Sequence, residues 1–305
     1  MDTLAVVLEA PGSVGLRALG LSAPAATDLT VEIARSGVSA GTERLLYEGR
    51  MPAFPGMGYP LVPGYESVGT VIAGGADWLG HTVFVPGSTA FEGARGLFGG
   101  AARRVVLPAA RAVAVPDALA DDGILLALAA TAWHSVAGAK MPDLIVGHGV
   151  LGRLIARLAV ANGAAPTVWE TQAARRDGAH GYTVVDPAED TARYATIVDA
   201  SGDASLLDTL IARLTPGGEI VLAGFYDRLS FAFAPAFMRE ARLRIAAQFT
   251  PADLEAVTAM VIDGRLSLAG LVTHVADARD AQTAYPKAFG DPACLKLVLD
   301  WSQVQ

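Results

Sequence analysis

Three glycines and one acid carry the clearest chemical signal in this chain. Gly147, Gly149 and Gly152 follow the apolar run at 144–146, and Glu170 ends the next apolar run. Glycines at this spacing let a strand turn tightly into a helix, whose first N–H groups then face a pyrophosphate. An acid about 20 residues further on binds ribose hydroxyls, and Glu170 lies 18 residues (170 − 152) after Gly152. The segment therefore predicts a β-α-β unit that holds a dinucleotide.

Glu170 also favours NAD as the cofactor, because a carboxylate beside the ribose repels the additional phosphate of NADP. Arg175 and Arg176 follow closely, and they either offset part of that repulsion or simply begin a solvated helix. His148 lies inside the turn at 147–152, which we call the glycine turn, and it either contacts a cofactor phosphate or only packs there. The residues that we expect to contact NAD here are Gly147, Gly149, Val150, Leu151, Gly152, Glu170 and Arg175.

The elements around this unit alternate between helix and strand. Helices are predicted over 121–138, 150–162 and 203–214, and strands over 144–147, 166–170, 184–185, 196–199 and 219–224. Strands separated by helices predict a parallel, doubly wound sheet. The chain is therefore expected to carry an α/β domain at 117–274.

The first part of the chain has a different pattern. Short β-branched runs broken by glycine and proline predict strands near 1–9, 30–33, 67–72, 82–85 and 104–107. A helix over 280–289 and a strand over 296–300 predict that the chain returns to this β-rich part. We therefore predict a second domain that consists of 1–116 and 275–305.

Composition narrows the class of protein. The 305 residues are 52% hydrophobic and carry a formal net charge of −8, which argues against a nucleic-acid partner. The N-terminus lacks the basic region of a signal peptide, and the apolar runs are too short to span a bilayer. A single cysteine, Cys294, excludes an intramolecular disulfide and is expected to be a buried apolar residue. We expect a cytoplasmic protein without stable membrane insertion.

The chain resembles the medium-chain dehydrogenase/reductase superfamily over essentially its whole length, and four sequence motifs carry that resemblance. They are 36–38 with 41–43, 63–66 with Gly69, 131–134, and 199–202 with 216–218. The resemblance implies a GroES-like catalytic domain plus a Rossmann domain. It also implies a homodimer, often formed by the sheet edges of the Rossmann domains, and the apolar strand at 219–224 is compatible with such an edge.

Within the superfamily, residues 41–66 are similar to the dehydrogenases of bacteriochlorophyll biosynthesis. That resemblance implies NAD-dependent oxidation of a 3-(1-hydroxyethyl) group to a 3-acetyl group on a bacteriochlorophyllide-type macrocycle, and it leaves open a peripheral position at the photosynthetic membrane. A loop of cations and aromatic rings suits a flat macrocycle that bears a propionate, although an ordinary solvated loop would look the same. The substrate-binding candidates are Arg44, Arg50, Phe54 and Tyr59.

The chain departs from the zinc-dependent members of the superfamily. The positions of their three catalytic ligands hold Ser39 or Ala40, Tyr65 and Ala127. Alanine and a neutral phenol cannot replace nitrogen, sulfur or carboxylate ligands. The resemblance therefore implies a site without metal, in which hydrogen-bonding groups or water must hold and deprotonate the alcohol.

The family positions supply the candidates for that chemistry. Tyr65 either points to the reacting centre or packs beneath the nicotinamide, whereas Glu66 and His134 are as easily structural as catalytic. The catalytic candidates are Ser39, Thr42, Tyr65, Glu66 and His134, with Glu43 as a residue that caps or orients the loop. The resemblance places four more residues against the cofactor: Thr131, Ser201, Gly224 and Phe225.

Two other functions fit parts of the pattern. One is a zinc-independent quinone or enoyl reductase of the same superfamily, which usually uses NADPH, so Glu170 counts against it. The other is a dinucleotide-binding protein without catalysis, which the intact glycine, acid and threonine landmarks disfavour. A cofactor turnover assay separates these readings.

Overall fold

A computed structural model describes residues 1–53, 55–116, 119, 122–226 and 228–304. Short apolar and β-branched runs form strands where glycine, proline or polar residues end the run. The strands are β1 (Asp2–Ala10), β2 (Ser13–Leu21), β3 (Asp28–Val38), β4 (Leu61–Val62), β5 (Ser67–Ala73), β6 (Thr82–Val85), β7 (Phe91–Glu92), β8 (Arg95–Gly96), β9 (Arg104–Pro108), β10 (Val113–Ala114), β11 (Leu144–Val146), β12 (Thr167–Trp169), β13 (Thr183–Val185), β14 (Tyr194–Asp199), β15 (Leu214–Leu222), β16 (Arg242–Ile245), β17 (His274–Asp277) and β18 (Leu297–Asp300).

The helices alternate with the strands mainly in the second half of the chain. They are α1 (Thr42–Tyr47), α2 (Leu126–Val136), α3 (Val150–Ala161), α4 (Leu207–Arg213), α5 (Phe233–Met238), α6 (Pro251–Ile262) and α7 (Ala281–Gly290). In the described ranges, none of the helices is long and apolar enough to cross a bilayer.

The chain forms two compact units. Unit 1 comprises Met1–Ala127 and Ala269–Gln305, and unit 2 comprises Leu128–Leu268. The predicted domain bounds at 116/117 and 274/275 stay a prediction. Each unit has its own sheets and is described by itself.

Unit 1 is built from two sheets that share one hydrophobic core. One sheet has the order β7-β2-β1-β4-β8, and the other has the order β10-β6-β5-β3-β18-β17, with β9 paired to β3. Leu8 of β1, Ile33 of β3 and Trp301 after β18 are all fully buried in that core. The predicted β-rich fold is confirmed.

The end of the chain is joined to β3 in unit 1. β18 pairs antiparallel with β3, so that Leu297 lies opposite Val38. The indole N–H of Trp301 donates to the Ser36 hydroxyl at 2.8 Å, and both side chains are fully buried. Residues near 296 are thereby held beside the end of β3, where the predicted catalytic residues begin.

Unit 2 contains a parallel sheet with the order β13-β12-β11-β14-β15-β16. Numbered along the chain from β11, this is the order 3-2-1-4-5-6 of the doubly wound dinucleotide-binding fold. The expected Rossmann sheet is therefore confirmed. The crossover from β11 to β12 contains α3, which begins directly after the glycine turn.

Three elements near the end of unit 2 were not predicted: α5, β16 and α6. The cap of α6 was visible in the sequence, because Thr250 accepts from the Asp253 N–H while Asp253 accepts from the Thr250 N–H, with Pro251 in the first turn. β16 pairs with β15, so the strand predicted at 219–224 is covered on that side. The strand at 219–224 is therefore not an edge of this sheet.

Candidate active site

Three hydroxyl side chains meet in unit 1 just after β3. The Ser39 and Tyr65 hydroxyl oxygens lie 2.8 Å apart, and the Thr42 N–H donates to the Ser39 hydroxyl at 3.3 Å. The Thr42 side chain also hydrogen-bonds with Tyr65. Burial raises the pKa of Tyr65, so its phenol stays protonated at neutral pH. We call Ser39, Thr42 and Tyr65 the hydroxyl cluster.

Glycine backbone allows the chain to place Tyr65. Gly64 has a φ of +99°, a conformation that other residues rarely adopt, and a Cβ there would lie 2.7 Å from the backbone nitrogen of Ala101. Gly37 has no side chain to displace the Cε of Lys296, which would lie 2.8 Å from such a Cβ. The two glycines thus let neighbouring segments pack closely behind the hydroxyl cluster.

Glu43 forms hydrogen bonds with the Ser39 backbone from a buried position. The Ser39 N–H donates to Glu43 Oε1 at 3.3 Å, and the Glu43 N–H donates to the Ser39 carbonyl at 3.1 Å. The Tyr285 hydroxyl of α7 donates to Glu43 Oε2 at 2.7 Å. Burial raises the pKa of Glu43 to about 7, although the Tyr285 hydrogen bond works in the opposite direction. Glu43 therefore contacts the loop from a fully buried position, and its role in capping or orienting the loop stays a prediction.

Glu66 forms a buried ion pair with Lys296, and neither side chain is more than 2% exposed. In the described part of the chain, the Glu66 oxygens have no hydrogen-bond partner beyond this ion pair. Isolating a carboxylate from water without a counter-charge is very costly, so Lys296 stabilises Glu66. Together with Glu43, the region holds two carboxyl groups and one ammonium. A proton on Glu43 therefore makes the region neutral.

His134 of α2 is paired with Asp253 in unit 2. His134 Nδ1 lies 2.8 Å from Asp253 Oδ2, and Asp253 also accepts from the Thr250 N–H and hydroxyl at 2.7 Å each. Burial acts to raise the pKa of Asp253, but hydrogen bonds from Thr250 and His134 outweigh it and lower that pKa. These contacts connect α2 to the start of α6.

The glycine turn before α3 is shaped to accept a dinucleotide. Gly147 has a φ of +95°, and a Cβ at Gly152 would overlap the Gly147 carbonyl oxygen. A Cβ at Gly149 would meet nothing within 4 Å, so space is open at the start of the helix. Val150 and Leu151 begin α3, and the first N–H groups of a helix have no partner within it. The turn therefore fits a pyrophosphate.

Glu170 is buried with both carboxylate oxygens oriented by backbone donors. The His148 N–H donates to Oε2 at 3.1 Å, and the Gln172 N–H donates to Oε1 at 2.8 Å. Arg176 donates to the Glu170 carbonyl at 2.8 Å and forms an ion pair with Asp186, so its charge is already engaged. The carbonyl of Arg175, the predicted cofactor contact, accepts from His148 Nδ1 at 2.6 Å.

The four remaining cofactor candidates lie in unit 2. The Ser201 N–H and hydroxyl donate to Asp199 at 2.9 and 2.6 Å, and a Cβ on Gly147 would lie 3.4 Å from Ser201. Ser201 is thus placed beside the glycine turn. Gly224 follows β15 and packs against Gly202, where a Cβ would lie 2.8 Å from its nitrogen. Phe225 is exposed and Thr131 is half-buried in α2.

Three of the predicted substrate-binding residues, Arg44, Arg50 and Tyr59, have protein partners. Arg44 and Arg50 both donate to Glu48, at 2.7 and 2.8 Å. The Tyr59 hydroxyl donates to the Leu46 carbonyl, which ties the loop to α1. Phe54 lies outside the described residues. The arginines therefore share one carboxylate that would compete with a substrate propionate.

The described ranges hold no cluster of metal-binding side chains. No three or more His, Cys, Asp or Glu side chains there are placed together to hold a metal ion. The predicted counterparts of the ligands in zinc-dependent members are Ser39 or Ala40, Tyr65 and Ala127. Cys294, the single cysteine, is buried as predicted.

Sequence reasoning did not find several residues that support the site. Tyr285 and Lys296 are more than 200 residues away from Glu43 and Glu66 in sequence, and no local pattern connects them. Arg153 gave a clearer signal, because it is a buried cation in a helix that is apolar apart from Arg153 and Arg157. The unpredicted supporting residues are Arg153, Tyr182, Asp253, Tyr285 and Lys296.

Comparison with known proteins places this geometry in a family. Residues 25–117 match the alcohol dehydrogenase GroES-like domain. The chain is 55% identical to the 2-desacetyl-2-hydroxyethyl bacteriochlorophyllide A dehydrogenase of Cereibacter sphaeroides, over 99% of both chains. It is 53% identical to the protein of the same name from Rhodobacter capsulatus, over 100% of both chains. The chain belongs to the bacteriochlorophyllide dehydrogenase family.

The family lies within the medium-chain dehydrogenase/reductase superfamily, and a solved structure supports the same fold. An alcohol dehydrogenase from E. coli CFT073, in complex with the cofactor NADH, superposes with a TM-score of 0.84. The match covers 98% of this chain and 99% of that chain at 20% identity, so it supports the fold alone. The relatives at 55% and 53% identity make the chain a dehydrogenase-type oxidoreductase, and the fold has a GroES-like and a Rossmann part.

Proposed function

We propose that this chain oxidises the 3-(1-hydroxyethyl) group of a bacteriochlorophyllide-type macrocycle to the 3-acetyl group, with NAD and without zinc. The names of two relatives at more than half identity support the substrate. The observation that carries the chemistry is the 2.8 Å contact between Ser39 and Tyr65, with Thr42 beside it. Two members of this cluster, Ser39 and Tyr65, are at positions that the superfamily resemblance assigns to the ligands of zinc-dependent members.

The hydroxyl cluster would orient the alcohol oxygen by hydrogen bonds. Oxidation removes a hydride from the carbinol carbon and a proton from its oxygen. NAD, when bound, would supply the hydride acceptor, and a water molecule at the cluster would take the proton. Because the Tyr65 phenol stays protonated at neutral pH, it acts as a donor to the oxygen rather than as the base. Glu66 is engaged by Lys296, and His134 by Asp253, which favours positioning roles for both.

NAD rather than NADP is favoured by Glu170. Its carboxylate is buried and oriented by two N–H groups, and a negative charge there opposes a ribose phosphate. Arg176 contributes little positive charge to offset it, because Asp186 already pairs with it. Catalytic efficiency should be higher with NAD, and Glu170→Ala should narrow the gap. A wild-type preference for NADP would reject this assignment.

The assay for the proposed reaction follows the pigment itself. Purified protein, NAD and the 3-(1-hydroxyethyl) pigment should give a red-shifted absorption band, because an acetyl group extends the conjugation. The 3-vinyl pigment is the control substrate, since it has no alcohol to oxidise. Tyr65→Phe keeps the ring but removes the hydroxyl, and should lower turnover by about 100-fold while NADH binding stays unchanged.

The alternative function, a zinc-independent quinone or enoyl reductase, predicts a different outcome of these assays. Reduction of a small quinone or enone with NADPH, and no reaction with the hydroxyethyl pigment, would reject the proposed function. Binding of NAD without turnover of any of these substrates would favour the non-catalytic alternative. The cytoplasmic location and a peripheral position at the photosynthetic membrane stay predictions.

A homodimer is the partner that we propose. In the described residues, β16 ends the parallel sheet, with Ile245 at 73% exposed. Phe233, Phe237 and Met238 of α5 are also exposed, at 65 to 75%. An open strand edge with apolar side chains is a template for a second strand. Light scattering should give twice the chain mass, and Ile245→Lys should give a monomer; a wild-type monomer would reject the dimer.

A further inference from the structure

The glycine turn contains a histidine whose ring is fully buried. His148 Nδ1 lies 2.6 Å from the Arg175 carbonyl oxygen, and Nε2 lies 2.9 Å from the Tyr182 hydroxyl. A carbonyl oxygen only accepts, so Nδ1 donates to it and Nε2 accepts from the Tyr182 hydroxyl. Both ring nitrogens are thus engaged by the protein, and the phosphate contact left open by the sequence is not their role.

Arg153 of α3 supports the same loop with a buried cation. Its Nε donates to the His148 carbonyl at 3.0 Å, and Nη2 donates to the carbonyls of Arg175 and Asp177 at 2.9 and 2.8 Å. Gly178 leaves room for the guanidinium, because a Cβ there would lie 2.6 Å from Arg153 Nη1. One side chain therefore connects α3 to both the glycine turn and the segment after Glu170.

The backbone of His148 completes the connection. Its N–H donates to Glu170 Oε2 at 3.1 Å, so one residue orients the carboxylate by its backbone and holds the 175–182 segment by its ring. The Arg175 carbonyl accepts from both His148 and Arg153. The segment that follows the ribose-binding acid is thereby fixed at several points to the turn that faces the pyrophosphate.

We infer that His148, Arg153 and Tyr182 are positioning residues that preform the adenosine end of the cofactor site. They hold the 170–182 segment in place before the dinucleotide arrives, so binding does not have to order that segment. The inference rests on the proposed use of a nicotinamide dinucleotide. The three side chains act on the cofactor indirectly, because they position Glu170 and the segment that follows it.

The test compares ligands that carry different ends of the dinucleotide. Calorimetry should measure the Kd of NADH, ADP-ribose and nicotinamide mononucleotide for wild type, His148→Ala, His148→Asn and Tyr182→Phe. His148→Ala should weaken NADH and ADP-ribose by roughly tenfold or more, with the mononucleotide unchanged. His148→Asn restores a donor for the Arg175 carbonyl and should recover part of the loss. Tyr182→Phe should weaken both adenosine ligands by a few-fold.

Hydrogen exchange of the free protein supplies a readout without ligand. Amides at 171–182 should exchange faster in His148→Ala than in wild type, whereas His180→Ala, an exposed histidine in the same segment, should change neither exchange nor affinity. Wild-type Kd values and exchange rates in His148→Ala would overturn the inference. If wild type binds no NADH, the cofactor assignment itself fails. Hydrogen exchange at 171–182 then still tests whether these residues hold that segment in place.

Discussion

The glycine turn of unit 2 and the hydroxyl cluster of unit 1 are built in different ways. The turn is made of backbone, and its shape depends on glycines within six residues, 147–152. The hydroxyl cluster depends on side chains, and its brace Glu43 is bound by Tyr285, 242 residues away in sequence. Damage to the turn should therefore act locally, whereas the cluster should be sensitive to distant changes that expose or unpair buried charge.

The largest expected effect is at Lys296. Lys296→Met leaves the fully buried Glu66 without its counter-charge, which typically destabilises a protein by about 3 to 5 kcal/mol. Urea unfolding should detect this loss. The double variant with Glu66→Gln removes both charges and should recover most of it. A single variant as stable as wild type would mean that the buried pair does not support the site.

The next effect is the pH dependence caused by Glu43. Its pKa is about 7 instead of 4.5, so the folded state holds its proton more tightly than the unfolded state. The resulting stability is present below pH 4.5 and is lost as pH rises through 7, on the order of 3 kcal/mol in all. Tyr285, Glu66, Lys296 and the Ser39 N–H are the groups that face it.

Glu43→Gln removes that proton equilibrium while keeping the side chain nearly isosteric. The loss of stability between pH 5 and 8 should therefore be smaller in this variant than in wild type, as measured by thermal unfolding across the range. Glu48→Gln is the control, because hydrogen bonds from Arg44 and Arg50 lower the pKa of that carboxylate, which therefore does not titrate between pH 5 and 8. An unchanged pH profile in Glu43→Gln would show that another group is responsible.

Substitutions at Gly152 and Gly149 should separate the effect of the turn on stability from its effect on cofactor affinity. Gly152→Ala forces a Cβ onto the Gly147 carbonyl oxygen, and overpacking of this kind costs about 1 to 3 kcal/mol. Gly149→Ala meets open space and should fold normally, but its methyl group would occupy the place of the pyrophosphate and reduce NADH affinity. Equal stability and equal affinity in the two variants would contradict the geometry of the turn.

The smallest expected effect is at Arg50. An unpaired arginine that forms an ion pair with the propionate would raise pigment affinity by more than about tenfold. The Arg50 side chain, however, is 68% exposed and paired with Glu48. Exposed ion pairs contribute about 0 to 1 kcal/mol, so Arg50→Ala should weaken pigment binding by only a few-fold, measured by fluorescence quenching. A loss of 30-fold or more would show that substrate binding rearranges this loop.

Much of unit 2 was predictable because its signals are local. Gly147, Gly149, Gly152 and Glu170 occupy the predicted turn and strand end, since glycine spacing and strand length follow from backbone geometry. The sheet order then follows from alternating strands and helices. β16 was missed because its arginines and exposed apolar residues resemble a loop.

The support of the hydroxyl cluster was not predictable from one sequence. Ser39, Thr42 and Tyr65 were named from family positions, but their mutual contacts depend on how the loops after β3 and β4 fold together. Lys296 and Tyr285 reach the site only because β18 pairs with β3 and α7 precedes it. Pairings over such sequence distances leave no local pattern.

The central claim is that hydroxyl groups, without zinc, hold the alcohol during oxidation. The most direct measurement is the turnover of the hydroxyethyl pigment with NAD by enzyme treated with a chelator, with the metal content of the same sample determined by elemental analysis. We predict full turnover and no stoichiometric zinc. Loss of turnover on chelation, restored by added zinc, would contradict the account.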